Sequence, residues 1–354
     1  MSWQGLLGHD AIVDHFRRML RAERLASTFL FVGPGGIGKR TFARKLAQGL
    51  LCQTRPAAAL DPCGTCPSCV QIEAGTHPDL VQVEKPSDRA SIPVKLLIGE
   101  KEQRMREGFC YDLSKKPFFG GRKIGMIDDA DYLNEEGANC LLKTLEEPPP
   151  NSVLILIGTS PTKQLPTIRS RCQVIRFRPL SAEQVAEVLL EQECVADRTQ
   201  ALQAAKFSEG SIARAKAFVD PALATFRLDF LAQLAEPQLD TVRISKQVLA
   251  FVDEAGKEAA DRRERIRQVV KFALEFYRCL FREECGAAAL ADPELARLCT
   301  RVLHAGAAPD RTAERIERCL EALQQIDRNA NQQTLVECWL DELEYGAAKP
   351  AAAL

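Results

Sequence analysis

The run GPGGIGKRT, Gly33 to Thr41, constrains this chain more than any other stretch. It directly follows a β-type run, FLFVG (29–33), and opens a helical pattern from Lys39 to Leu51, which is the context a phosphate-binding loop requires. Gly33, Gly35, Gly36 and Gly38 let the backbone turn its N–H groups toward a phosphate, the helix N-terminus adds partial positive charge, and Lys39 can reach the outer phosphates. A glycine-rich turn of purely structural use is the competing reading, and it explains the lysine poorly.

That strand–loop–helix unit is the first of several. Further β-type runs are LVQVE (80–84), KIGMID (123–128), VLILIG (153–158) and QVIRF (173–177), with helical stretches between them such as Asn134 to Glu146. The alternation predicts an α/β domain with a parallel, doubly wound sheet. LVQVE and VLILIG are almost continuously apolar or β-branched, as expected of strands buried on both faces. After Pro179 no further strand pattern appears. Ser181, with Gln184 three residues on, forms a capping-box pattern that opens a helix. A second helix is expected over Arg198–Phe207 and a third after Gly210. Farther on, Ile266, Val269, Val270, Ala273, Tyr277 and Leu280 recur at helical spacing, as do Ile316, Cys319, Leu320, Leu323 and Ile326, and then Leu335, Trp339, Leu340 and Leu343. The reading divides the chain into an α/β domain (1–178), a small helical domain (179–240), a helical C-terminal domain (241–346) and a frayed tail (347–354).

The phosphate loop carries one clear defect. The pattern G-x-x-x-x-G-K-S/T wants a hydroxyl at position 40 to ligate Mg²⁺, and this chain has Arg40. A guanidinium has no lone pair to offer a cation, and its charge repels one. Thr41 points about 100° away around the helix. The apolar strand ending in Asp128 matches the element whose carboxylate supports Mg²⁺, and the water-activating position after it, typically glutamate, is Asp129. That side chain is one methylene shorter, and about 1 Å of misplacement can cost 10²-fold in rate. The plainer alternative is a pair of carboxylates at a strand end.

Cysteine usage carries a second signal. Of thirteen cysteines, nine are scattered singly, as small buried hydrophobes usually are. The other four are Cys63, Cys66 and Cys69 in CGTCPSC, with Cys52 eleven residues earlier. Four thiolates at that spacing suit a closed structural Zn²⁺ site. An iron–sulfur cluster and a redox dithiol are the alternatives, the latter leaving two cysteines unexplained. His77 is a further candidate ligand, weighed against a hydrogen-bonded structural histidine.

Charge and hydropathy exclude other classes. Hydrophobic residues make up 46% and charged residues 27% of the chain, and the formal charge is −1, ordinary values for a soluble globular protein. No run approaches the roughly 20 apolar residues of a membrane span, and MSWQGLLGHD lacks the features of a signal peptide, so a cytoplasmic protein with no membrane partner is expected. Proteins that bind DNA alone usually carry a basic excess. Any DNA contact is therefore expected to be weak, local or shared with partners. LSKKPFFGGRK (113–123) is the segment where such a contact competes with a plain solvated loop.

Finally, LPTIRSRC (165–172) puts Arg171 just before the last strand, where it could lie at the edge of the module and reach a neighbouring subunit's nucleotide. Taken together, GPGGIGKRT, the four-cysteine module, THPDL, IDDADYLNEEGANCLLKTLEEPPP, LPTIRSRC, EGSIARA and NANQQTLVECWLDEL resemble the bacterial DNA polymerase III clamp-loader family of AAA+ proteins, in the right order over nearly the whole chain. The resemblance implies a RecA-like AAA+ domain, a helical lid and a C-terminal helical collar joining five subunits. It also implies zinc held by Cys52, Cys63, Cys66 and Cys69, and a role for Arg171 as a trans finger on a neighbour's ATP. Within the family the sequence looks like the delta-prime type, a stator with a degenerate site that partners gamma/tau and delta subunits and acts on the sliding clamp and primed DNA through the complex. The alternative is an active ATPase of the gamma/tau type, with ATP or ADP in its own loop. Thr159 and Ser160 are the candidates for a polar sensor after the fourth strand. Arg214 lies one residue beyond the expected lid-arginine position.

Overall fold

The structure, a computed structural model, describes residues 3–86, 89–104, 106–119, 121–256, 258–287, 292–304, 306 and 309–346. The expected tail, 347–354, and Gly120 of the 113–123 segment lie outside the described residues. The chain divides into two compact units, one comprising residues to 86 and 91–216, the other built from residue 217 onward.

The first unit is a five-stranded parallel sheet, β1 (Thr28–Val32), β2 (Leu80–Val83), β3 (Lys123–Ile127), β4 (Ser152–Ile157) and β5 (Gln173–Arg176), in the order β2-β3-β4-β1-β5. Its helices are α1 (Asp10–Arg21), α2 (Lys39–Leu51), α3 (Pro67–Glu73), α4 (Val94–Ile98), α5 (Phe109–Ser114), α6 (Glu135–Glu146), α7 (Pro166–Arg169), α8 (Ala182–Glu191), α9 (Arg198–Phe207) and α10 (Ile212–Val219), the last running a turn past the unit's boundary. Side chains alternate across a strand, and the sheet uses that to build two cores. Phe29 and Phe31 of β1, with Val153, Ile155 and Ile157 of β4, face α1 and α2; Leu30, Val32, Leu154 and Leu156 face α4 to α7. Phe16, Phe29, Phe31 and Phe42 pack ring against ring at 5.0–6.4 Å, so Phe42→Ala would cost about 3–5 kcal/mol.

VLILIG becomes the fully buried central strand β4, as its composition predicts. LVQVE does not share that fate: β2 is an edge strand and only half-buried past Leu80, because one of its flanks has no neighbour and an apolar run alone cannot tell centre from edge. The helix starts follow their capping residues. The Asn134 side chain accepts from the Gly137 N–H, and Ser181 and Gln184 complete both halves of the capping box.

The second unit is all helix among the described residues: α11 (Pro221–Leu234), α12 (Thr241–Asp253), α13 (Ala259–Glu284), α14 (Pro293–His304), α15 (Pro309–Asp327) and α16 (Gln332–Tyr345). Its core takes in Ile266, Val269, Tyr277, Cys319, Ile326, Leu335 and Trp339, the stripes read from periodicity. α11, which the sequence reading places in the small helical domain, instead gives Leu223, Phe230, Leu231 and Leu234 to this core, and Phe226 stacks on Phe251 at 3.9 Å. Among the described residues no helix is long and apolar enough to cross a membrane.

Candidate nucleotide loop, cysteine cluster and arginine edge

In a parallel sheet of this kind ligands gather at the carboxyl ends of the strands. The phosphate loop leaves the end of β1, and Asp128 leaves the end of β3, with β4 between the two strands. Gly36 and Gly38 have φ of 75° and 92°, values an L side chain rarely adopts. Gly36 is doubly constrained. A Cβ there would stand 2.4 Å from the Ser211 Oγ, and its carbonyl accepts the Ile212 N–H at 2.9 Å. The start of α10 therefore rests on the loop. His9 closes the loop's other side, its Nε2 donating to the Ile37 carbonyl at 2.8 Å.

The charged side chains of the loop are satisfied by the protein itself. Lys39 is buried, and its Nζ donates to the carbonyls of Gly33 (2.7 Å) and Pro34 (2.6 Å). Burial pushes its ammonium below the ordinary lysine value, opposed by Asp128, Asp131 and Asp129. The Arg40 Nη1 lies 2.5 Å from Glu84 and 3.3 Å from Asp128. Burial lifts the Asp128 carboxyl above the ordinary aspartate value, against the Asp129 N–H that it accepts and the Arg40 guanidinium. Asp129 is raised too, by burial and then by Asp128, and sits in the left-handed region at φ 55°. Thr41 is the next residue of α2, about 100° further round the helix from position 40, and its side chain is exposed.

Of the two sensor candidates, Thr159 is tied to this centre. Its N–H and hydroxyl both donate to the Asp131 carboxylate, at 2.7 and 2.5 Å, and its carbonyl accepts the Gly33 N–H. Ser160 instead accepts from the Thr162 N–H and starts a short turn. Arg214 pairs with Glu209 at 2.5 Å. Glu84 and Asp131 are the participants that motif reading missed. Glu84 belongs to no motif, and only strand pairing brings it to the loop.

At the far end of α2 the four cysteines converge. Cys52 follows the last turn of α2, Cys66 caps α3 and Cys69 lies within it. All four Sγ atoms lie within 4.8 Å of one another, with Cys52–Cys66 at 4.0 Å and Cys63–Cys69 at 3.9 Å. A tetrahedron with metal–sulfur bonds of about 2.3 Å has edges of about 3.8 Å, so the cluster fits a small thiophilic cation. The Thr54 hydroxyl, then the Cys66 and Thr65 N–H groups, bring the Cys63 thiol down to about 5, while burial pushes Cys69 up to about 12. Only a bound cation would hold all four as thiolates. His77 is not among them. Its Nδ1 accepts the Asp79 N–H at 3.0 Å and its Nε2 meets the Ser68 Oγ at 2.5 Å.

Asp79 itself is buried, 3.6 Å from the buried Lys123 Nζ, and accepts the N–H groups of Phe118 and Phe119. The 113–123 segment is thus anchored by a buried carboxylate while both phenylalanine rings stay exposed.

Arg171 stands at the opposite end of the sheet from the loop. Its carbonyl accepts the Thr28 hydroxyl at 2.6 Å, and Thr28 begins β1 whereas Gly33 directly follows its last residue. Five residues of strand separate the two levels by about 16 Å. The guanidinium reaches Glu146 at 2.5–2.7 Å and the Thr167 carbonyl at 2.9 Å, with a third of the side chain exposed.

A parallel sheet in this order, a phosphate loop after β1, an acidic strand end at β3 and a helical cap on the loop define a RecA-like AAA+ module. Comparison with known proteins gives the family. A family model described as "DNA polymerase III, delta subunit" matches residues 8–181. The chain is 33% identical over 256 residues to DNA polymerase III subunit tau of Escherichia coli (71% of this chain, 38% of that one). It is 43% identical over 147 residues to DNA polymerase III subunit delta' of Pseudomonas aeruginosa (42% of each) and 36% identical over 175 residues to subunit delta' of Bacillus subtilis (49% of each). The matches span less than half the length of each of these relatives. The chain belongs to the DNA polymerase III clamp-loader family of AAA+ proteins.

Proposed function

We propose that the chain works as a delta-prime-type subunit of the DNA polymerase III clamp loader, a stator that joins gamma/tau and delta subunits in a ring, helps load the sliding clamp onto primed DNA, and supplies Arg171 in trans to a neighbour's ATP. The observation that carries this reading is the placement of Arg171. It sits about 16 Å from its own loop along the strand direction, at the start of the edge strand β5, and so has no phosphate to serve in its own subunit. The Arg40–Asp128 contact is the second support, since it opposes the Mg²⁺-dependent hydrolysis an active motor subunit needs. Cys52, Cys63, Cys66 and Cys69 are assigned a structural Zn²⁺, whose tetrahedral edge lengths their spacing matches better than a cluster that interposes iron and sulfide. Thr159, rather than Ser160, is assigned the sensor position, and the helices from Thr241 onward the collar.

The test is paired. Arg171→Ala is melted alone and then reconstituted with its partner subunits, and DNA- and clamp-stimulated ATPase is measured. A trans finger is worth about 10³–10⁵ in rate at its site, so one site falls silent and the total drops partially while the subunit melts as before. The competing role is a structural tie to Glu146, under which the mutant loses stability first. A well-folded, assembling mutant with full stimulated ATPase would rule the finger out.

A further inference from the structure

We infer that Arg40 is a built-in cation: Glu84 and Asp128 hold its guanidinium between them, and the loop therefore binds a nucleoside polyphosphate without any divalent metal. The inference rests on the phosphate-loop reading of Gly33–Thr41 and not on the subunit's role in an assembly.

Strand pairing creates the need for a cation. β2 and β3 run parallel with Val83 level with Ile127, so the next residues, Glu84 and Asp128, emerge side by side, and the Asp128 N–H is still bonded to the Val83 carbonyl at 2.8 Å. Two carboxylates so placed repel each other. Arg40, the second residue of α2, reaches both through a single nitrogen, Nη1, at 2.5 and 3.3 Å. A guanidinium carries five N–H donors, more than two such contacts require. A Mg²⁺ ion would need near-octahedral oxygen ligation, and position 40 offers it a positive charge instead of an oxygen. The residues present do not fit the metal.

What they keep is the phosphate-facing part. Gly36 and Gly38 hold the left-handed conformations from which phosphate loops build their N–H cradle, and Lys39 spends two of its three donors on loop carbonyls. Arg40 then adds a guanidinium suited to phosphate oxygens. The Arg40 and Glu84 side chains are 49% and 55% exposed, so their pair adds little to stability. Its consequence is electrostatic, in removing the site's demand for a metal.

The experiment is calorimetric titration of the full chain with ADP in MgCl₂ and in EDTA, with Mn²⁺ spin resonance as an independent readout. The two ADP affinities should agree within about twofold, and the protein–ADP complex should hold no more Mn²⁺ than free ADP does. Arg40→Thr restores the hydroxyl, and its ADP affinity should become at least about tenfold tighter in Mg²⁺ than in EDTA. Glu84→Gln removes one of the two carboxylates and leaves Arg40 on Asp128, so its two ADP affinities should still agree within about twofold. A Mg²⁺ preference of about tenfold in Glu84→Gln would overturn the role of Arg40 as the site's own cation. If the unmodified chain gains tenfold with Mg²⁺, or binds ADP in neither buffer, the metal-free site is wrong. That outcome would leave the Arg171 assignment untouched, because Arg171 is read in the assembled complex. Should Arg40→Thr fail to fold, the comparison of the two buffers on the unmodified chain still decides.

Discussion

One helix, α2, ends in two chemical sites that differ in what completes them. At its N-terminus the groups that would meet a nucleotide are satisfied by the protein: Lys39 by loop carbonyls, Arg40 by Glu84 and Asp128, and Gly36 by the start of α10. At its C-terminus, Cys52 and the three cysteines after it face one another within 4.8 Å, an arrangement that calls for a cation from outside. One end keeps the glycine turns of a phosphate loop while its lysine and arginine are engaged by the protein's own oxygens. The other keeps its ligand chemistry in full. The difference teaches where the fold's stability should reside, and it can be broken from either end.

The cysteine end should give the largest effect. If a bound metal completes it, Cys66→Ser or extraction of the ion should remove more than about 4 kcal/mol, the range reserved for lost metals and similar lesions. At roughly 2–4 °C per kcal/mol for a unit of this size, the melting point of the first unit should fall well beyond 8 °C. Elemental analysis should find one Zn²⁺ per chain. A chain without metal that melts unchanged after Cys66→Ser would erase the contrast.

Next in size is the buried pair beside the cysteine module. Asp79→Asn leaves the Lys123 ammonium buried with a weaker partner and loosens the anchor of Phe118 and Phe119. Breaking such a pair from one side costs about 3–5 kcal/mol. Denaturant unfolding should show that loss, and Asp79→Asn with Lys123→Met should recover part of it. A loss under about 1 kcal/mol would mean that water already reaches the pair.

The phosphate-loop end should barely register in the same assay. Glu84→Gln removes one partner of a half-exposed pair, and such pairs contribute about 0–1 kcal/mol. Melting should therefore shift little even where nucleotide binding changes. A large shift would show that Arg40, Glu84 and Asp128 form a structural keystone, and the two ends of α2 would then be alike.

How much of this was readable beforehand follows the range of the interactions. The helix from Lys39 to Leu51, the capping box at Ser181 and the buried run of β4 depend on neighbours in sequence, and patterning found them. The cysteine cluster was legible because ligand spacing is itself a short-range pattern. Glu84 was not, since only the register of β2 on β3 delivers it to Asp128. The half-exposure of β2 and the transfer of α11 to the second core were hidden for the same reason: both depend on which partner an apolar face meets. Asp79 lay in view in THPD, yet nothing local said that its carboxylate would bind amides about 40 residues away.

The smallest effect should come from His9, and its sign follows from burial. Burial lowers its pKa below the ordinary value of 6.5, against the pull of the Ile37 carbonyl and Asp10. The neutral ring, wedged edge-on against Phe177 with centroids 4.9 Å apart, donates from Nε2 to Ile37 inside the phosphate loop. In the unfolded chain His9 binds a proton once the pH drops below 6.5, whereas in the fold it resists doing so. The unfolded state then holds more protons, and stability falls as the pH falls. The stabilisation from the neutral ring is thus complete above pH 6.5 and is lost progressively as the pH drops toward the lowered folded value. Asp128 and Asp129, whose pKa values are raised, act in the opposite sense as the pH falls through their own range, so a single melting curve would mix the two. The clean measurement is the difference between the unmodified chain and His9→Gln, whose amide can still donate to Ile37 but does not titrate. That difference should be flat above pH 7 and should shrink or reverse near pH 5.5. A difference independent of pH would mean that His9 is solvated in the folded protein, and that this side of the phosphate loop is open to water.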